Sequence, residues 1–193
     1  MKNRKRENRL RILEAAGRLF YYRRFHEVKM EEIAETAGMG KGTIYEYFSS
    51  KEDLFRELFK YSTDKYIRLA REASGNEKDG HGKLLALLLN HIDFLTRFRH
   101  LEYYVFNIGR INFREMQPWF KEKKNQFLAL VEESISEGMR RGEIRELNTR
   151  LAATVFTGSF LVALNPFLID VEKDGKKYAA EVMDLFFQGI KQP

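Results

Sequence analysis

Residues 41–47 read Lys-Gly-Thr-Ile-Tyr-Glu-Tyr, and most of these side chains suit the edge of a DNA duplex. Lys41 is a cation able to reach a phosphate or a guanine edge. Gly42 has no side chain, so the backbone is free to approach a base or a thymine methyl. Thr43 offers a hydroxyl and a methyl. The phenols of Tyr45 and Tyr47 stand at phosphate height, and such contacts fix register without reading sequence. Lys51 falls in the first turn of the next helix, where its ammonium and the free N–H groups would meet one phosphate together. Glu46 is the discordant member: it either points away or accepts from a cytosine amine. For both tyrosines, packing against Phe48 and the first helix is the purely structural alternative.

Those residues need a scaffold, and residues 28–51 (VKMEEIAETAGMGKGTIYEYFSSK) supply one. A short helix, a tight Gly-containing turn and a second short helix make a helix-turn-helix. Met30, Ile33, Ala34 and Ala37 mark the first of the pair, closed by Gly38. Residues 41–48 form the second, with Ile44 and Phe48 inward. Small Ala34 and Ala37 allow close approach. Ile12, Leu13, Ala16, Leu19 and Phe20 stripe a preceding helix. Ser49 with Glu52, or Ser50 with Asp53, fits a capping box opening a fourth, striped by Leu54, Phe55, Leu58 and Phe59.

Beyond a loop at Asp79-Gly80-His81-Gly82, the pattern predicts helices near 82–98, 101–111, 116–141, 149–169 and 176–190. No strand-like alternation is present, so the fold class is all-α: an N-terminal three-helix DNA-binding domain with a helix-turn-helix, then a larger helical ligand-binding and dimerisation domain. The boundaries are 1–59 and 60–193.

Charge is concentrated at one end. Residues 1–51 hold 12 Lys and Arg against 7 Asp and Glu, whereas the remainder holds 22 against 21. A polyanion partner for the first quarter is the natural reading, with a basic, solvated tail as the alternative that charge alone leaves open; the basic start (Lys2, Arg4, Lys5, Arg6, Arg9) could add phosphate or minor-groove contacts. There is no cysteine, hence no disulfide and no thiolate site. No apolar run follows the basic N-terminus, so a signal peptide is not expected, and a cytoplasmic location is. Residues 151–169 are uncharged over a length near that of a bilayer span. Their Thr, Ser, Asn and Pro content favours a protein-buried helix instead, so no membrane partner is expected. The four histidines lack metal-ligand spacing, and neither a phosphate-binding Gly loop nor a nucleophile elbow is present. The chain is read as a non-enzyme with no cofactor and no metal.

Two functions compete for the apolar residues of the second part. Residues 151–169 and 176–190, with Gly158 and Ala163 for close approach and Phe160, Leu164, Met183 and Phe187 as filling, are assigned to a homodimer contact. The aromatic stretch 94–127 is assigned in part to an apolar pocket with a few polar groups. Its candidate residues are Phe98, Tyr103, Asn107, Arg110, Trp119 and Phe127, with Thr154 from a later helix.

At these residues the sequence resembles the tetracycline-repressor (TetR) family. The resemblance is carried by Ile12-Leu13-Glu14-Ala15-Ala16 with Leu19-Phe20, by Ile33-Ala34-Glu35-Thr36-Ala37-Gly38, by residues 41–48, and by Lys51-Glu52-Asp53-Leu54. It implies an all-α, dimeric, usually repressive regulator that binds a palindromic operator, holds a small-molecule effector in its variable C-terminal part, and pairs through its last two helices. It places Lys29, Gly40, Lys41, Gly42, Thr43, Tyr45, Glu46, Tyr47 and Lys51 at the DNA. Lys29 and Gly40 stand where Ser or Thr is usual, so two capping hydroxyls that often also meet phosphate are missing. Gly17 replaces a usual Ala, costing about 1 kcal/mol of helix propensity. Three other readings stay open: a ligand-independent member, an activating member, and a DNA-architectural protein without sequence preference.

Overall fold

The computed structural model describes residues 2–97, 113–163 and 170–190, and all regular structure among them is helical. In chain order these are α1 (Lys2–Tyr22), a single 3-10 turn (Phe25–Glu27), α2 (Met30–Thr36), α3 (Lys41–Tyr45), α4 (Lys51–Gly75), α5 (Gly80–Arg97), α6 (Phe113–Arg140), α7 (Thr149–Ala163) and α8 (Val171–Ile190). The residues divide into two compact units. One runs to Asp64 and takes in Met116; the other holds Lys65–Arg97 and the described residues from Gln117 onward.

The first unit is built around the apolar stripe of α1. Ile12, Leu13, Ala16 and Phe20 are buried, as the helical period requires, and meet Ile33 and Ala34 of α2, Ile44 of α3, Phe48, and Leu54, Phe55 and Leu58 of α4. Phe20, Phe25 and Phe55 pack as a ring trio with centroids 5.2–5.7 Å apart. α1 begins at Lys2, so the basic N-terminal segment is helix rather than an extended arm. Arg9 anchors it, pairing with Glu57 at 2.5 Å and lying 4.8 Å over the Phe48 ring.

The turn of the helix-turn-helix is set by Gly38, whose φ is +67°. The Met39 N–H donates to the Ala34 carbonyl and the Gly38 N–H to that of Glu35, which is a Schellman closure of α2. Arg11 donates to the Ala37 carbonyl at 2.8 Å, giving a third tie at the same turn. α3 is shorter than the expected 41–48. Its last turn tightens, with Glu46 and Tyr47 N–H groups bonding three residues back, so regular helix stops at Tyr45. Ser50 caps α4, accepting from the Asp53 N–H at 3.0 Å.

The second unit buries Leu84, Leu87, Leu88 and Ile92 of α5 against Phe127, Leu128, Val131 and Ile135 of α6, Phe156 and Phe160 of α7, and Met183 of α8. The Gly80 N–H donates to Glu143 at 2.8 Å, and a Cβ at Gly80 would fall 2.8 Å from the Gly138 Cα. α5 and α6 therefore approach as backbone against backbone there. α6 starts three residues before the expected 116. α8 starts five residues before the expected 176 because Asp170, a good N-cap type, opens it and takes the Lys173 and Asp174 N–H groups on its carbonyl. The helix expected over 101–111 lies outside the described residues, as does the end of the one expected over 149–169. No described helix is long and apolar enough to cross a membrane.

The residues assigned to dimer filling require correction. Phe160 and Met183 are buried within their own subunit, as is Ala163, which was assigned to close approach; Leu164 lies outside the described residues, and Phe187 is half-buried with its ring 4.7 Å from His81. The outward apolar residues of α7 and α8 are instead Leu151 (63% exposed), Val155 (62%) and Leu185 (76%). Gly158 and Gly189 lie exposed on the same two helices with open space where a Cβ would be.

Candidate nucleic-acid interface and effector residues

Lys29, Gly40, Lys41, Gly42, Tyr45 and Glu46 are exposed, and Thr43 and Tyr47 are half-buried. Gly42 has nothing within 4 Å of an added Cβ, so the start of α3 is an open backbone surface. Neither Lys29 nor Gly40 supplies a side-chain cap. The Lys29 N–H is met instead by the Glu32 carboxylate at 2.7 Å. Tyr45, 48% exposed, is the outward phenol.

Three of these residues have partners inside the protein. Lys41 pairs with Glu31 at 2.8 Å. The hydrogen bond between them is the main cause that holds the Glu31 carboxyl below its usual range and raises the Lys41 ammonium. Both groups are open to solvent, so the pair is screened and exchangeable. Tyr47 packs on the core and accepts from the Asn8 side-chain amide at 3.0 Å. Its own O–H proton is left to point elsewhere. The structural alternative for this tyrosine thus describes its ring, and the phosphate role concerns only its hydroxyl hydrogen. Lys51 departs from the expectation. Its ammonium donates to the carbonyls of Phe25 and Val28, each at 2.9 Å, and sits 4.4 Å over the Phe25 ring. In this arrangement it fastens the 3-10 turn to α4 rather than standing ready for a phosphate.

Of the effector candidates, Phe98, Tyr103, Asn107 and Arg110 lie outside the described residues. Trp119 is half-buried, edge-on to Phe120 at 5.0 Å. Phe127 is buried, stacked on Tyr66 at 5.2 Å and edge-on to Phe160 at 5.5 Å. Thr154 is exposed and returns its hydroxyl to the Arg150 carbonyl at 2.8 Å, so it does not serve an interior pocket.

Tyr66 and His91 form a buried pair that sequence reasoning did not bring together. They come from α4 and α5, and nothing in their spacing brings them together. The Tyr66 hydroxyl and His91 Nδ1 are 3.2 Å apart. His91 stacks on Phe160 at 4.5 Å, and Tyr66 lies 4.8 Å from Phe94. Burial lowers the imidazole to a pKa of about 4, against a smaller raising effect of the Phe160 backbone, so His91 is neutral at pH 7. Burial also pushes the Tyr66 phenol well up. Among the described residues no group of His, Cys, Asp and Glu is arranged to hold a metal ion.

Comparison with known proteins agrees with this geometry. The family described as "Bacterial regulatory proteins, tetR family" matches residues 12–58, the helices that bury the first core. The "Fatty acid metabolism regulator protein" of Bacillus subtilis (strain 168) is 26% identical over 96% of this chain and 97% of its own. The crystal structure of FadR from Bacillus subtilis in complex with stearoyl-CoA superposes with a TM-score of 0.70, at 26% identity over 94% of this chain and 98% of that one. FadR from Bacillus halodurans gives a TM-score of 0.68, at 25% identity over 93% and 94%. With its helix-turn-helix matched over residues 12–58, the chain carries the sequence-specific DNA-binding domain of TetR-family regulators, followed by an all-α second unit similar to that of FadR.

Proposed function

We propose that this regulator binds a palindromic operator as a homodimer and leaves it when a long-chain acyl ligand binds, acting as a repressor. The observation that carries the ligand class is the likeness, over nearly the whole of both chains, to a regulator solved with stearoyl-CoA. The aromatic interior around Tyr66, Phe127 and Phe160 is chemically suited to a hydrocarbon chain.

Dimerisation has its own support. A groove of about 420 Å³ on α7 and α8 is lined by Leu151, Val155, Phe156, Val182, Leu185 and Phe186. Such an apolar surface is unfavourable in water and is suited to cover by a second copy of these helices. A twofold dimer places two copies of α3 on successive half-sites, hence a palindrome. Lys41, Gly42 and Thr43 then read base edges, and Tyr45 and Tyr47 contact phosphates.

One relative favours a second sign of regulation. The "HTH-type transcriptional activator FasR" of Mycolicibacterium smegmatis is 33% identical over 46% of this chain and 41% of its own. The test is binding of fluorescent operator DNA with and without stearoyl-CoA, followed by transcription in vitro. Release of DNA and a rise in transcript support ligand-relieved repression. Tighter binding with a rise in transcript supports activation, and no response to stearoyl-CoA removes the ligand reading.

A further inference from the structure

Tyr66 and His91 combine features that a merely packed pair does not need. Both are surrounded by protein on nearly all sides, which is why their ionised forms are strongly disfavoured. Both nevertheless keep accessible surface, being only half-buried by area.

The imidazole also has one nitrogen to spare. Nδ1 faces the Tyr66 hydroxyl at 3.2 Å. Nε2 is buried and has no hydrogen-bond partner among the described residues. The Phe160 backbone raises the imidazole pKa as a hydrogen-bond acceptor would, yet no hydrogen bond of good geometry reaches Nε2. A carbonyl can only accept, so the tautomer that suits this neighbour carries its hydrogen on Nε2 and takes the phenol hydrogen on Nδ1. A buried donor left in that state is costly and calls for an acceptor.

We propose that His91 Nε2–H, held in its tautomer by Tyr66, donates to the carbonyl oxygen of an acyl thioester whose chain lies among Phe94, Phe127 and Phe160. The inference rests on the acyl-responsive reading above and names the atoms that recognise the ligand. A neutral imidazole among phenyl rings suits an uncharged thioester carbonyl. It disfavours a carboxylate, whose charge would be buried without a counter-ion. His91 is the contacting residue; Tyr66 acts through it and is a positioning residue.

The test uses the full-length protein and four probes: stearoyl-CoA, its thioether analogue S-octadecyl-CoA, stearate and free coenzyme A. The thioether keeps the chain and the nucleotide but lacks the carbonyl. Wild type is expected to bind the thioester about tenfold more tightly than the thioether, the scale of one hydrogen bond to a buried acceptor. His91→Phe, which retains a ring to stack on Phe160, is expected to lose that preference while keeping its affinity for operator DNA without ligand. Tyr66→Phe is expected to reduce the preference by less. Should either variant fail to fold, the thioester-to-thioether ratio of wild type still decides. Equal binding of the two by wild type overturns the assignment of His91 but leaves the acyl-responsive reading intact. Binding of neither overturns the reading itself. Tighter binding of stearate than of stearoyl-CoA overturns the thioester assignment, as does a full preference in His91→Phe.

Discussion

The exposed stripe of α7 and α8 yields the sharpest quantitative expectation. Leu185 is 76% exposed in the subunit. Leu185→Ala removes three carbons, each contributing about 0.8 kcal/mol when buried. Scaled by the surface still open in the subunit, that is about 1.8 kcal/mol per copy. A twofold contact counts it twice, giving roughly 3 to 4 kcal/mol, or about 100- to 1000-fold in the dimer dissociation constant. Because the side chain faces water in the subunit, the melting of the subunit itself should stay within about 0.5 kcal/mol of wild type. Sedimentation equilibrium across a concentration series reads the first quantity and circular dichroism the second. Phe187→Glu is the control. That ring is half-buried against His81, so the substitution should lower subunit stability more than it separates subunits. A Leu185→Ala protein with an unchanged dimer dissociation constant would refute the reasoning and move the interface off this stripe.

Other expectations follow from single contacts. Asn8 donates to the Tyr47 hydroxyl at 3.0 Å, so Asn8→Ala and Tyr47→Phe should each weaken operator binding. The double variant should be no weaker than Tyr47→Phe alone in a fluorescence-anisotropy titration, and additive losses would show that Asn8 does not act through Tyr47. At Gly17 an added Cβ would sit 3.7 Å from the Leu58 Cδ1, an ordinary contact. Gly17→Ala should therefore stabilise the protein by about 0.5 to 1 kcal/mol in urea titration, and a loss of stability would mean that the site is closed. His91 has a folded-state pKa of about 4 against an ordinary 6.5. The unfolded chain thus takes up a proton first as pH falls below 6.5, and stability drains away until about pH 4. The loss should reach about 2 kcal/mol at pH 5 and be absent in His91→Phe; an equal loss in both proteins would assign the acid sensitivity to other groups.

The helix-turn-helix was legible because its local signals agree. The stripe Ile12, Leu13, Ala16, Phe20 has one period, Gly38 occupies the single left-handed position of the turn, and Ser50 with Asp53 announces α4. Facing was harder to read in α7. Beyond Arg150 it carries no charge to mark the wet side, so Phe160, buried in its own subunit, and Leu151, exposed, look equivalent in sequence. Lys51 illustrates a different limit: its position was foreseen, but the carbonyls of Phe25 and Val28 compete for its ammonium, and only the folded turn reveals them. Tyr66 and His91 stand 25 residues apart on different helices. Their meeting is a tertiary fact with no periodic trace, and a lone histidine on an apolar helix reads as core.

Selection of bound sequences from a random DNA pool, run in parallel with and without stearoyl-CoA, addresses the central claim most directly. The account predicts enrichment of a palindrome whose half-sites are spaced for two copies of α3, and its loss when stearoyl-CoA is present. Enrichment of a sequence without twofold symmetry, or a palindrome indifferent to every acyl-CoA tried, would contradict it.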